Sequence, residues 1–125
     1  MYILVNGQEI EYFGYDIPIP VGEQEIHEVD FMPNENRKLC YWTGSEIVLK
    51  TDMMLLNDFK IELKEELFLI IGTNLPEINQ RSLTDIQTAW QNFKTNSPSW
   101  TTESQCITAF NNAITWLGLS DDFKK

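Results

Sequence analysis

The sequence is poor in positive charge, and its first 35 residues contain no lysine or arginine. Across the chain nine basic residues stand against nineteen acidic ones, which gives a net charge of −10. Nucleic acids and anionic membrane surfaces attract basic proteins, so this composition argues against direct binding to either. Only two arginines, Arg37 and Arg81, are available to clamp a phosphoryl group, which argues against phosphoryl transfer.

Groups that carry enzyme chemistry are scarce as well. The chain has one histidine, His27, and two cysteines, Cys40 and Cys106. A cysteine or serine nucleophile needs a neighbouring base, and the sequence shows neither a glycine-rich phosphate loop nor a Cys/His cluster with metal-ligand spacing. His27 lies between Glu25 and Glu28, but a single histidine flanked by acids is more typical of a half-buried strand residue than of a metal ligand. We expect no enzymatic activity, no metal and no other cofactor.

Long apolar runs are also missing. No stretch approaches the roughly 20 apolar residues that span a bilayer, and the N-terminus lacks the pattern of a signal peptide. Cys40 and Cys106 both have apolar or aromatic neighbours, which is typical of reduced thiols in a core. Whether they are bonded depends on a Cα separation that the sequence does not give. The expected location is the cytoplasm.

The first 51 residues have the pattern of strands joined by turns. The dipeptide Asn6-Gly7 separates two β-prone runs and predicts a hairpin over 2–12 with a type I′ turn. A second hairpin is predicted over 38–50, with Gly44 in its loop.

Two segments connect these hairpins. Pro18 and Pro20 exclude a helix and a central strand from residues 17–22, which predicts an extended connection along one edge of the sheet. The alternation in residues 25–31 predicts a further strand that ends at Phe31. We expect a small antiparallel sheet of four or five strands.

Beyond this region the apolar residues recur at helical spacing. Asp52 is placed to cap a helix over 53–71, and Gly72 suits the position after its end. Residues 57–71 also alternate in part, so a strand stays open there, although length and composition favour the helix.

Two further helices have recognisable starts. Ser82 with Asp85, and Thr102 with Gln105, resemble capping boxes, and an apolar stripe at helical spacing follows each. Gly118 ends the second stripe, as a glycine after a helix commonly does.

These elements define the α+β class, with a small N-terminal antiparallel sheet followed by two or three helices packed on it. We expect a single domain over residues 1–125, with a β-rich half over 1–51 and a helical half over 52–125. A helical half that stands clear of the sheet is the alternative. Residues 120–125, which are polar apart from Phe123, are expected to fray.

Acidic residues concentrate in the first part of the chain. Residues 1–35 contain eight carboxylates, whereas the other ninety residues contain eleven acids and nine bases. A solvated strand face that discourages aggregation explains this pattern, and so does a docking surface for a basic partner. The spacing does not follow that of a calcium-binding loop.

The candidate partner-binding residues combine these acids with nearby aromatic side chains, which could stack on a partner or belong to the core. They are Glu9, Glu11, Asp16, Glu23, Glu25, Glu28, Asp30, Tyr12, Tyr15 and Trp42.

One part of the sequence resembles a known class of proteins. Residues 37–48, RKLCYWTGSEIV, resemble the strand–Trp-x-Gly–strand unit of small accessory proteins of tailed bacteriophages, including tail-fibre-assembly-like proteins. Residues 15–26 are loosely similar too, so the likeness covers about residues 12–50. The resemblance implies a viral origin, a role in assembly or in attack on a host system, and a location in the host cytoplasm or the virion. It carries over no catalytic residue.

We therefore expect an acidic protein that acts by binding another protein, as a phage virion accessory or assembly factor. The alternative is an inhibitor that blocks the basic groove of a host nucleic-acid-processing or defence enzyme by acidic mimicry. Neither function requires direct contact with nucleic acid or membrane. Pairing of a strand edge with its copy leaves a homo-oligomer open.

Overall fold

The computed structural model describes residues 1–78 and 81–125, and within them five strands precede three α-helices, which confirms the α+β class. The strands are β1 (Tyr2–Asn6), β2 (Glu9–Gly14), β3 (Glu25–Glu28), β4 (Cys40–Trp42) and β5 (Ile47–Leu49). The helices are α1 (Asp52–Thr73), α2 (Leu83–Asn96) and α3 (Glu103–Trp116). The chain divides into two compact units, Met1–Leu55 and Leu56–Lys125, which we call the sheet unit and the helical unit. The single domain over residues 1–125 stays a prediction.

The five strands form one antiparallel sheet in the order β3-β1-β2-β4-β5. The first predicted hairpin is confirmed, but its turn lies one residue further along, because Asn6 pairs with Glu9. Gly7 has a φ of +63°, and no residue other than glycine has a positive φ in the part of the chain that the structure describes. A positive φ at the first central position alone is the pattern of a type II′ turn, so the predicted type I′ turn is wrong.

The other predicted strands are shorter than their sequence patterns. Residues 37–39 form a 3₁₀ turn before β4, and the side-chain oxygen of Asn36 accepts a hydrogen bond from the Lys38 backbone at 3.1 Å. This local bond competes with the backbone hydrogen bonds between strands, so the first strand of the second hairpin begins at Cys40 rather than Lys38. β3 ends at Glu28 rather than Phe31, and the Phe31 side chain is 69% exposed.

One face of the sheet encloses the core of the sheet unit. Ile3 and Cys40 are fully buried there, and Phe13, Val29 and Met32 pack around them. The buried set is Ile3, Val5, Ile10, Cys40, Trp42 and Ile47.

The structure resolves the open choice for residues 57–71 in favour of a helix, and α1 extends beyond the predicted range at its end. The hydroxyl of Thr51 accepts a hydrogen bond from the Met54 backbone at 3.2 Å, so Thr51 rather than Asp52 caps the helix. At the other end the side chains of Thr73 and Asn74 donate to carbonyls of the last turn at 2.7 and 2.8 Å. Because these bonds satisfy the last turn, Gly72 lies inside the helix.

Both predicted capping residues of the later helices are confirmed. The Ser82 hydroxyl accepts from the backbone of Asp85 at 3.1 Å, and the Thr102 hydroxyl accepts from that of Gln105 at 3.2 Å. Gly118 has a φ of +74° and follows α3, as predicted.

The end of the chain is held, contrary to the prediction that it frays. The side-chain amide of Asn111 accepts a hydrogen bond from the Lys125 backbone at 2.9 Å and donates one to the Lys125 carbonyl at 3.3 Å. The Lys125 ammonium also forms an ion pair with Glu66 at 2.6 Å. These three contacts join the last residue to α3 and α1.

The core of the helical unit lies among the three helices. The apolar stripes of α1, α2 and α3 meet around Phe110, which is the largest fully buried side chain in residues 1–78 and 81–125. The buried set is Leu63, Leu67, Ile78, Ile86, Phe93, Cys106, Phe110, Ile114 and Leu117.

Replacing Phe110 by alanine should lower the free energy of unfolding by about 3–5 kcal/mol, because the cavity left in a closed core collapses only in part. Denaturant unfolding followed by circular dichroism at the helix signal measures the change. Phe68→Ala is the matched control, since Phe68 is also on a helix but 60% exposed. Equal losses in the two variants would contradict this account of the core.

Candidate functional site

The acidic candidates of the sheet unit all lie at its surface. Every carboxylate in residues 1–35 belongs to an exposed residue. An unpaired carboxylate is too costly to bury, so this placement follows from the shortage of positive charge around these acids. Glu11 has a special position, because β2 bulges where Leu4 pairs with Tyr12 and Val5 pairs with Ile10, which leaves Glu11 as the extra residue.

Glu9 is engaged within the protein. The Lys50 ammonium donates to the two carboxylate oxygens of Glu9 at 3.0 and 3.4 Å. The Lys50 side chain is only 3% exposed, so Glu9 helps to stabilise a buried charge. We therefore leave Glu9 out of the candidate docking surface.

Trp42 is a core residue, and the ring of His27 packs on it. The exposed fraction of Trp42 is 8%, and the His27 ring stacks on it with the ring centroids 4.6 Å apart and the planes at 26°. The Nε2 atom of His27 lies 3.4 Å from a carboxylate oxygen of Glu25. β3 and β4 are separated by two strands in the sheet order, so the sheet must curl to bring these rings together. The contact closes the core, which leaves little of Trp42 for a partner.

The two tyrosine candidates differ in exposure. Tyr12 is half-buried, and its hydroxyl donates to the Asp16 carbonyl at 3.2 Å. A side chain at Gly14 would collide with the Tyr12 phenol, so the glycine lets the ring lie along the strand. Tyr15 is 81% exposed and is therefore available to a partner.

Residues 15–31, which we call the acidic segment, combine exposed acids with exposed apolar side chains. The segment contains five acidic residues and no lysine or arginine. Its residues 15–24 form neither helix nor strand. Five large apolar side chains on it are each at least 69% exposed: Tyr15, Ile17, Ile19, Val21 and Phe31. Exposed apolar groups of this density, interspersed with polar ones, are typical of interaction surfaces.

The acidic segment also contains an edge of the sheet. β3 is the end strand in the sheet order, and Val29 donates its backbone N–H to Met1 at 2.8 Å. Because hydrogen-bonded pairs alternate along an antiparallel ladder, Ile26 and Glu28 turn their backbone groups to the outer edge. An edge of this kind can add a strand from another chain.

The structure offers no converging set of metal ligands in residues 1–78 and 81–125, since no three His, Cys, Asp or Glu side chains come together there. Within the same two ranges, no helix combines the length and apolarity needed to cross a membrane. Cys40 and Cys106 are both free and buried.

Comparison with known proteins gives no relative: no family model, no curated protein and no solved structure matches the chain.

The sequence pattern pointed to the acids of the segment and to Tyr15, but not to its other highly exposed apolar residues, Ile17, Ile19, Val21 and Phe31. Ile17, Ile19 and Val21 alternate with two prolines, and the prolines exclude the strand that would bury such side chains. Apolar residues in a segment that can form neither a helix nor a central strand were the signal that could have revealed this exposed surface.

Replacing His27 by alanine should lower the free energy of unfolding by about 1 kcal/mol, because the stack on Trp42 is lost. His27→Phe should retain most of it, since a ring still covers the indole. Denaturant unfolding followed by tryptophan fluorescence measures both. Glu25→Gln is the control: the pair with His27 is exposed on the Glu25 side, so its loss should change little. A larger loss in Glu25→Gln than in His27→Ala would show that charge, and not stacking, holds the contact.

Cys106 should resist thiol reagents at pH 8 in the folded protein and react once the chain unfolds. Burial raises the pKa of the Cys106 thiol, and the charge of Glu103 adds to the rise, whereas the charge of Lys60 and a backbone hydrogen bond lower it. A raised pKa means that the folded state holds the proton more tightly, so the stabilisation is present below the ordinary thiol pKa of about 8.5 and is lost as the pH rises above it.

The test is colorimetric labelling of the two thiols with and without denaturant, with Cys40→Ala to isolate the Cys106 signal. Rapid labelling of Cys106 in the folded protein would contradict the assignment.

Proposed function

We propose that this protein is a non-enzymatic interaction protein that binds another protein through the acidic segment, residues 15–31. The observation that carries the proposal is the set of exposed apolar side chains on this segment. Tyr15, Ile19 and Val21 are each more than 70% exposed. Burial of apolar surface yields about 25 cal/mol per Å², so these side chains offer a partner a substantial gain that the fold leaves unused.

The charge of the segment indicates the kind of partner. Asp16, Glu23, Glu28 and Asp30 have no basic side chain paired with them in residues 1–78 and 81–125. A partner with a basic rim around an apolar pocket complements this arrangement, with the charges steering the encounter and the apolar groups supplying affinity.

The free edge of β3 supports docking by strand addition. A strand from a basic partner would pair with the outward backbone groups of Ile26 and Glu28. A second copy of this chain is a poorer partner there, because pairing two β3 edges brings two acidic segments together, and like charges repel.

The biological setting rests on the resemblance of residues 37–48 and 15–26 to small accessory proteins of tailed phages. It supports a virion accessory or assembly factor, located in the host cytoplasm or in the virion. The second candidate is an inhibitor that occupies the basic groove of a host nucleic-acid-processing or defence enzyme, and the run of unpaired acids favours it. The two differ in which part of the segment supplies the binding energy.

Affinity capture from bacterial lysate at about 50 mM and about 500 mM salt distinguishes them, because the Debye length falls from roughly 14 to 4 Å. For an assembly factor the captured protein should stay bound at high salt, and Ile17→Ser with Ile19→Ser and Val21→Ser should release it. For an inhibitor high salt should release it, and Glu23→Lys with Glu28→Lys and Asp30→Lys should abolish binding.

Matched controls lie outside the acidic segment. Met53→Ser removes an apolar side chain that is 73% exposed, and Glu35→Lys with Glu46→Lys and Glu62→Lys makes the same change in net charge elsewhere. These variants should retain the partner. Capture that is equal for the native protein and both segment variants, or no specific capture at either salt concentration, would contradict the proposal.

A further inference from the structure

The helical unit contains a groove that its own side chains leave unfilled. α2 and α3 form its two walls, and its volume is about 440 Å³, within the range of ligand pockets. Its floor consists of small side chains, Ala89, Ala109 and Ala113, above the buried ring of Phe93. Longer residues at the three alanine positions would fill the space.

The groove follows from the spacing of residues on the two helices. Asp85, Thr88, Ala89, Asn92 and Asn96 recur at steps of three and four along α2 and therefore share one side of it. The same steps place Ala109, Asn112, Ala113 and Trp116 on one side of α3. Each helix thus lines the groove with a stripe of small and amide side chains beside its core stripe.

Three side-chain amides on this groove have no hydrogen-bond partner in the described residues. They belong to Asn92 and Asn96 on α2 and to Asn112 on α3. Two asparagines of the helical unit outside the groove are engaged: Asn74 bonds to a helix carbonyl, and Asn111 holds the backbone of Lys125, whereas within residues 1–78 and 81–125 no such bond forms at the exposed Asn57. Each unpaired amide offers a carbonyl acceptor and two N–H donors to a ligand.

The charge of the groove differs from that of the chain. Of the described residues that line it, Asp85 alone is ionisable. No lysine or arginine is among the described lining residues, and the Arg81 guanidinium beside the groove is engaged by the ring and the carbonyl of Trp116. A phosphate or a carboxylate therefore suits the groove poorly, so a ligand should be neutral and should both donate and accept hydrogen bonds.

Two indole rings give the groove aromatic surface. Trp116 is 36% exposed, and the Arg81 guanidinium lies 4.0 Å from its ring centroid. Trp100 is half-buried and meets Phe93 edge-on at 5.0 Å between centroids. Indole surface in a groove with amide walls suits a ligand that has apolar C–H faces and a polar rim.

We propose that this groove binds a neutral oligosaccharide. A sugar ring has C–H faces that pack on indole and alanine, and its hydroxyl groups donate to and accept from amides such as Asn92 and Asn112. A partner helix suits the groove less, because the apolar face of a docked helix would leave the amides of Asn92, Asn96 and Asn112 without hydrogen-bond partners. The proposal is independent of the docking function of the acidic segment.

The test uses three neutral trisaccharides, maltotriose, cellotriose and triacetylchitotriose, with the full chain labelled with ¹⁵N. At least one should shift the side-chain amide signals of Asn92 and Asn112 and the indole signals of Trp100 and Trp116. The indole signals of Trp42 and Trp90, which do not line the groove, should stay in place. Glucose 6-phosphate at the same concentration should bind more weakly than neutral glucose, since the groove lacks a cation.

Two variants test the geometry. Ala113→Leu should weaken binding of the active trisaccharide at least about tenfold by filling the floor, and Asn92→Ala with Asn112→Ala should weaken it about fivefold or more. Gln91→Ala with Thr115→Ala is the control, because these exposed helix residues neighbour the groove without lining it, and it should bind normally. All variants keep good helix formers, so circular dichroism should be unchanged.

Two results would overturn the proposal. The first is no shift with any trisaccharide, whether or not a neutral peptide such as tetraalanine shifts these signals. The second is binding that is unaffected by Ala113→Leu.

Discussion

An unpaired carboxylate cannot be buried at acceptable cost, and this constraint shapes the sheet unit. With no lysine or arginine in residues 1–35, the acids there must either reach water or bind a base from further along the chain. Glu9 does the latter, through the buried ammonium of Lys50. The acids of residues 15–31 reach water, and the apolar side chains between them stay in the same exposed segment. The exposed apolar surface is therefore a consequence of the interleaved charges and prolines.

Local signals in the sequence were sufficient where a few neighbouring residues decide the structure. The caps at Ser82 and Thr102 and the glycine after α3 are interactions within one turn, and the structure has them as predicted. Strand ends were less predictable, because the ladder competes with local bonds such as the one from Lys38 to Asn36. The register of the first turn depended on which residues pair, and the dipeptide Asn6-Gly7 alone does not decide that.

Contacts between distant residues were beyond the reach of the sequence. The stack of His27 on Trp42 requires the strand order and the curl of the sheet, and neither is encoded in the spacing of these two residues. The candidate site shows the same division. Its acids were readable from composition, whereas the withdrawal of Trp42 and Glu9 into internal contacts depended on tertiary pairing.

The two proposed surfaces differ in charge, so salt should affect binding at each of them differently. The acids of the acidic segment are exposed to solvent, so salt screens their attraction for a charged partner. The groove between α2 and α3 has one ionisable residue and unpaired amides, so its interactions are short-ranged and nearly indifferent to salt. The chain has a net charge of −10, and nearly all of this charge lies outside the groove. A neutral ligand is not repelled by this charge, whereas the basic partner proposed for the acidic segment would be attracted by it, so the two proposed interactions respond differently to salt.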